Sequence, residues 1–218
     1  MERITEHFRK EYDKVWEKIL NHPFVVQLYS GNLPISKFKY YAIQDFNYLI
    51  GATRILCLAA SKAPSLEHAR KALELAYGTV TGEMENYIKL LNKLGIELEK
   101  VYSIEPNPTN TAYMNFLAYV GYATDFWTIM ASFLPCAWTY EEIAERNKFR
   151  LEANNVEIYR EWCSVYLSRE YKNLVKMLRS VVDESPVEAK KLRPYFLTAL
   201  KYEYMFWDAA YREETWPI

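Results

Sequence analysis

Cys136 follows directly on Pro135 in the segment Leu134-Pro135-Cys136-Ala137-Trp138. A proline removes one backbone donor from a helix and favours a kink or a break. A break there would set Cys136 at the start of a new helix, where the positive end of the helix dipole favours thiolate. Cys57 sits in the apolar run Ile55-Leu56-Cys57-Leu58-Ala59, and Cys163 lies in Glu161-Trp162-Cys163-Ser164. A thiol in apolar surroundings is inert, so both are expected in the core. Three carboxylates stand inside aromatic stretches. Asp45 lies among Tyr40, Tyr41, Phe46 and Tyr48; Asp125 lies in Tyr122-Ala123-Thr124-Asp125-Phe126-Trp127; Glu203 lies in Tyr202-Glu203-Tyr204-Met205-Phe206-Trp207. A charge buried without a partner is costly, so each is expected to be paired, neutralised or functional. For Cys136 and for each carboxylate, the residues alone leave a structural and a chemical role open.

Other chemistries are disfavoured. The three histidines, His7, His22 and His68, all fall in the first third, and no two are spaced i, i+3 or i, i+4, so no metal or haem site is expected. The six glycines form no phosphate-cradling loop, which argues against a nucleotide-binding fold. A net charge of −1 gives no electrostatic reason to expect nucleic acid or an anionic membrane surface. No apolar run reaches the ~18 residues of a spanning helix, and Met1-Glu2-Arg3-Ile4-Thr5-Glu6 is too charged for a signal peptide. An odd number of widely spaced cysteines suggests neither disulfides nor zinc, and fits a reducing cytoplasm. With 19 tyrosines, six tryptophans and ten phenylalanines, the chain can line an internal pocket with flat rings, although core filling accounts for most of them.

The elements that must position these groups read as helices. Ile4, Phe8, Val15 and Ile19 mark one face of a first helix, which Asn21-His22-Pro23 ends. Ser36 is a candidate N-cap for a second helix running through Asp45 to about Ala60. A third carries Ala69 to Leu91 and stops at Gly95. The stretch Ile104 to Thr109 is a loop, followed by an apolar helix from about Asn110 to Phe133 that Pro135 interrupts. Shorter helices are expected at Ile158 to Leu167 and Tyr171 to Val182. A last one opens on the capping box Ser185-Pro186-Val187-Glu188 and extends to about Tyr211. No strand alternation, repeat or linker is visible. The pattern predicts one all-α domain over residues 1–218, a bundle of roughly seven to nine helices.

Four segments carry a resemblance to a known family. They are Tyr41-Ala42-Ile43-Gln44-Asp45-Phe46-Asn47-Tyr48-Leu49, Leu134-Pro135-Cys136-Ala137-Trp138-Thr139-Tyr140-Glu141-Glu142-Ile143, Tyr159-Arg160-Glu161-Trp162-Cys163-Ser164-Val165-Tyr166, and Tyr202-Glu203-Tyr204-Met205-Phe206-Trp207-Asp208-Ala209-Ala210-Tyr211. In this order and spacing the chain resembles the thiaminase II (TenA) family, in its cysteine-containing branch. The resemblance implies a haem-oxygenase-like helical fold, a homotetramer, and hydrolysis of aminopyrimidines in thiamin salvage without a cofactor. It also implies roles. Cys136 would be the nucleophile, Glu203 the proton donor, and Asp45 the group holding the aminopyrimidine edge. Tyr48, Tyr113, Tyr140 and Tyr166 would stack on the ring or orient these groups. Relatives often carry a histidine near Glu83-Met84-Glu85-Asn86-Tyr87, and this chain has none there. Two rival readings are a cofactor-free oxygenase of the pyrroloquinoline-quinone-synthesis type on the same fold, and a non-enzymatic transcriptional regulator. The absence of histidine after His68 disfavours the first. Near-neutral charge without a basic recognition helix disfavours the second.

Overall fold

A computed structural model describes residues 3–218. Among them every regular element is helical, as the periodicities predict, and there is no strand. The helices are α1 (Ile4–Glu11), α2 (Asp13–Leu20), α3 (Pro23–Tyr29), α4 (Ile35–Ser61), α5 (Leu66–Gly78), α6 (Met84–Lys93), α7 (Leu98–Ser103), α8 (Pro108–Ala123), α9 (Phe126–Glu152), α10 (Glu157–Val165), α11 (Arg169–Asp183) and α12 (Ala189–Arg212). A π-helical turn, Thr79–Glu83, joins α5 to α6. The chain therefore has more, shorter helices than the seven to nine expected.

The differences have local causes. The first predicted helix is two, parted at Tyr12 (φ −104, ψ 19). The shift lets Phe8, Tyr12, Trp16 and Ile19 form the buried face, while Val15 stays partly open. His22 does more than end α2: its Nδ1 accepts from the Phe24 N–H at 3.2 Å, and Pro23 takes the first position of α3. Ser36 is inside α4, whose N-cap is Pro34. The expected capping box at Ser185 is a separate turn, in which Ser185 Oγ accepts from the Val187 N–H, and α12 starts at Ala189.

The apolar stretch after Asn110 breaks ten residues earlier than predicted. Thr124 is extended, ending α8, and Asp125 Oδ1 accepts from the Thr128 N–H at 2.9 Å to cap α9. Lys62 Nζ satisfies the carbonyls of Tyr122 and Thr124 at 2.8 and 2.7 Å. Pro135, where the break was expected, lies inside α9. Burial on almost every side from Ile129 to Tyr140 outweighs the missing donor.

The chain packs as two compact units, with one boundary between α3 and α4 and the other two inside α9 and α12. The first comprises Met1–Leu33 and Met130–Asp208. Its core sets Phe8 at a tilt against Phe196 (ring centroids 5.0 Å apart) and Trp16 edge-on to Trp138 (4.9 Å). Arg9 spans Glu142 (3.0 Å) and the Trp16 ring (4.8 Å), tying α1 to α9. Tyr159 donates to the Leu33 carbonyl at 2.8 Å, and Asn154 donates to the Leu28 and Tyr29 carbonyls.

The second unit comprises Pro34–Ile129 and Ala209–Ile218. Its axis is α4, which packs on α5, α6, α7 and α8. The α4–α8 crossing is close because glycine sits on both sides. A Cβ on Gly51 would collide with the Met114 side chain, and one on Gly121 would lie 3.1 Å from Leu58. Buried Gln44 accepts from the Asn107 N–H (3.0 Å) through Oε1, and its carbonyl accepts from Asn110 (2.8 Å). Asn107 in turn caps α8 through the Asn110 N–H.

Candidate functional site

The residues singled out in sequence fall into two groups, one in each unit. In the second unit α4 presents Asp45 and Tyr48 on its buried side. Tyr48 meets Tyr113 of α8 at a centroid distance of 5.2 Å, a tilted ring pair made possible by the glycine-lined crossing. Asp45 is 7% exposed. The Tyr87 hydroxyl on α6 donates to Asp45 Oδ2, and Tyr41, one turn back on α4, also bonds this carboxyl. Burial raises the Asp45 pKa from 3.8 to about 6, against the downward pull of the two hydroxyls. Sequence reading missed the third member, Glu83, at the end of the π-helical turn. Burial, then the charge of Asp45, raises the Glu83 pKa from 4.5 to about 7, with a bond from Thr79 opposing. The i, i+4 spacing of Glu83 and Tyr87 was the available signal: it sets both on one face of a helical run.

In the first unit, Cys136 is the one residue between Ala131 and Tyr140 that is not buried. It lies inside α9 rather than at the start of a helix, as the sequence suggested, so the N-terminus of its own helix is more than two turns away from its thiol. One turn further along α9, the ring of Tyr140 meets Tyr166 and Trp207, each at 5.0 Å. Trp162 closes on Tyr166 at 4.8 Å, and Tyr171 meets Tyr166 edge-on at 4.9 Å while donating to the Ala137 carbonyl at 3.1 Å. Glu203, 3% exposed, lies one turn before Trp207 on α12. Cys136 and Glu203 are thus each one helical turn from the Tyr140–Trp207 contact. The rings of Trp162 and Trp207, not foreseen as site residues, complete this wall.

The remaining candidates are settled by their surroundings. Asp125 is exposed and caps a helix, so it is not the buried carboxylate its neighbours suggested. Cys57 is exposed, against the core position expected of it: α4 is apolar on more than one side, and Cys57 falls on its outer face. Cys163 is buried as expected, and burial pushes its pKa well up against a bond from Tyr29. The histidines have local partners: His22 caps α3, His68 meets Ser65 at 2.8 Å, and His7 meets Glu11 at 3.6 Å. Among the described residues no cluster of His, Cys, Asp and Glu could hold a metal ion, and no helix is long and apolar enough to cross a membrane.

Comparison with solved structures sets the class. A domain with a haem-oxygenase-like fold from Shewanella denitrificans superposes with a TM-score of 0.78 at 12% identity, over 96% of this chain and 92% of that one. The all-α architecture is therefore of the haem-oxygenase-like kind. The TENA/THI-4/PQQC family profile matches residues 9–213, and the chain belongs to that family. A TenA homologue from P. horikoshii OT3 is 47% identical and superposes with a TM-score of 0.93, over 97% of this chain and 99% of that one. An aminopyrimidine aminohydrolase from Halalkalibacterium halodurans is 35% identical over 93% of this chain and 92% of its own length.

Proposed function

We propose that this protein is an aminopyrimidine aminohydrolase, a thiaminase II that releases an amine or thiazole from the 5-methylene of a 4-amino-2-methylpyrimidine in thiamin salvage. Its likeness to the H. halodurans enzyme supports this reading. The carrying observation in the structure is Cys136, left partly open in an otherwise buried stretch of α9, one turn from an aromatic wall.

Direct displacement at the methylene is slow, and covalent catalysis divides it into easier steps. The Cys136 thiolate forms a bond to the ring carbon beside the one that bears the methylene. The ring π electrons move outward to make an exocyclic double bond, and the carbon–nitrogen bond breaks. The departing amine takes its electron pair together with a proton from Glu203. Water then adds to the exocyclic carbon, giving its proton to the Glu203 carboxylate. The ring regains its double bond as the carbon–sulfur bond breaks. Asp45 holds the aminopyrimidine edge, Tyr48 and Tyr113 bear on the ring, and Tyr140 and Tyr166 orient the reacting groups. None of these steps calls for a cofactor.

The proposal includes a homotetrameric assembly acting in the cytoplasm, which light scattering and cell fractionation test. The decisive experiment follows amine release from 4-amino-5-aminomethyl-2-methylpyrimidine, and thiazole release from thiamin. Turnover of either supports the reading, and turnover of neither sinks it. With each histidine occupied locally, the structure gives no support to the rival oxygenase reading.

A further inference from the structure

The mechanism leaves the half-buried carboxyl of Glu83 unused. Glu83 ends the π-helical turn, a departure from regular helix often found at functional positions. The π turn and α6 both pack on α4, and one turn after Glu83 the Tyr87 hydroxyl donates to Asp45 Oδ2. No described Lys, Arg or His forms an ion pair with Asp45 or Glu83. Tyr87 from α6 and Tyr41 from α4 act on the Asp45 carboxyl, and the charge of Asp45 and Thr79 from the π turn act on Glu83. Packed against the same helix, α8 brings Tyr113 to Tyr48, and α5 and α7 bring no charge that acts on either carboxyl. With no cation beside either carboxyl, the charge of Asp45 makes ionisation of Glu83 costly.

The edge of a 4-aminopyrimidine offers one N–H donor, the amino group, and one acceptor, the adjacent ring nitrogen. An ionised carboxylate only accepts; a carboxylic acid also donates. A carboxylate can therefore match this edge only if a proton is supplied to the acid or to the ring. We propose that Glu83 is a positioning residue that shares one proton with Asp45, so that the pair meets an aminopyrimidine edge with one donor and one acceptor. This rests on the proposed function, since it assumes an aminopyrimidine ligand. Burial raises both carboxyls, and the charge of Asp45 raises Glu83 further, into the range of about 6 to 7, which keeps that proton available near neutrality. The two titrate as a pair.

The test uses the full chain and the hydroxymethylpyrimidine product as a non-reacting ligand, with dissociation constants measured between pH 5 and 9, alongside the pH profile of KM for amine release. In the unaltered protein, affinity should fall about tenfold per pH unit above roughly pH 7, as the shared proton is lost. In Glu83→Gln the fall should begin about one unit lower. At pH 8 that leaves binding about tenfold weaker than in the unaltered protein, while the two dissociation constants converge toward pH 5.5. Should the variant fail to fold, calorimetry of the unaltered protein at pH 8 in buffers of different ionisation enthalpy decides instead, with uptake of about one proton per ligand expected. Superimposable profiles in the two proteins, or no proton uptake by the unaltered one, would overturn the proposal. If the unaltered protein turns over neither substrate, the functional reading fails first, and amine release separates that result from the others.

Discussion

Asp45→Asn should change the pH dependence of stability in a direction fixed by the structure. The carboxyl titrates at 3.8 when exposed and at about 6 in the fold, so folding favours its protonated form. A raised carboxyl costs almost nothing below about pH 3. The cost grows as pH rises through the window from 3.8 to about 6, and is complete above it. A shift of about two units is worth roughly 3 kcal/mol at pH 8, of which about 2 kcal/mol develops between pH 4 and pH 8. Asparagine keeps an acceptor for Tyr87 and removes the charge. The variant should therefore gain on the unaltered protein as pH rises, with the gap in Tm widening by roughly 4–8 °C between pH 4 and pH 8 at this chain length. Circular dichroism melts of both proteins across that range make the measurement. A constant gap between the two melting curves would refute the argument that burial of the Asp45 charge sets this cost.

Three further outcomes follow from the same surroundings. Cys136→Ser should fold normally yet lose about a thousandfold in turnover, roughly 4 kcal/mol in barrier, with product affinity little changed; a fully active variant removes the covalent route. Glu203→Gln should lower turnover by about 10²–10⁴-fold, and steady-state rates within twofold of the unaltered protein would assign the proton to another group. Asp125→Ala should cost about 1 kcal/mol of stability by uncapping α9 and leave kcat untouched; a large loss of turnover at unchanged Tm would contradict its assignment as a cap.

The all-α class was legible because helical periodicity is a property of the chain itself, and the burial of Asp45 and Glu203 could be anticipated from their aromatic neighbours. Helix boundaries were less legible where two signals competed. Pro135 is a strong local breaker, but its effect is overruled by packing from Ile129 to Tyr140 that no local pattern reveals. Asp125 looked like a buried carboxylate because its apolar neighbours were counted without the break at Thr124, which turns it into a cap. Glu83 was missed for a different reason: its i, i+4 spacing to Tyr87 marks a shared face but not what that face meets. Its partner lies 38 positions earlier, and the π turn that carries it has no compositional mark of its own. Cys57 shows the opposite error: an apolar run does not bury every member when a long helix presents more than one side.

That open position of Cys57 bears on how the proposed nucleophile, Cys136, can be tested chemically. Of the three thiols, Cys163 is shielded and Cys136 partly so, leaving Cys57 as the most accessible to a solution electrophile. Iodoacetamide or a maleimide would consume Cys57 whether or not catalysis is affected, so counting modified thiols against lost activity would implicate the wrong sulfur. Mass spectrometry of a Cys57→Ser protein removes that background. In it, protection of the remaining accessible thiol by the pyrimidine product would report on Cys136 alone.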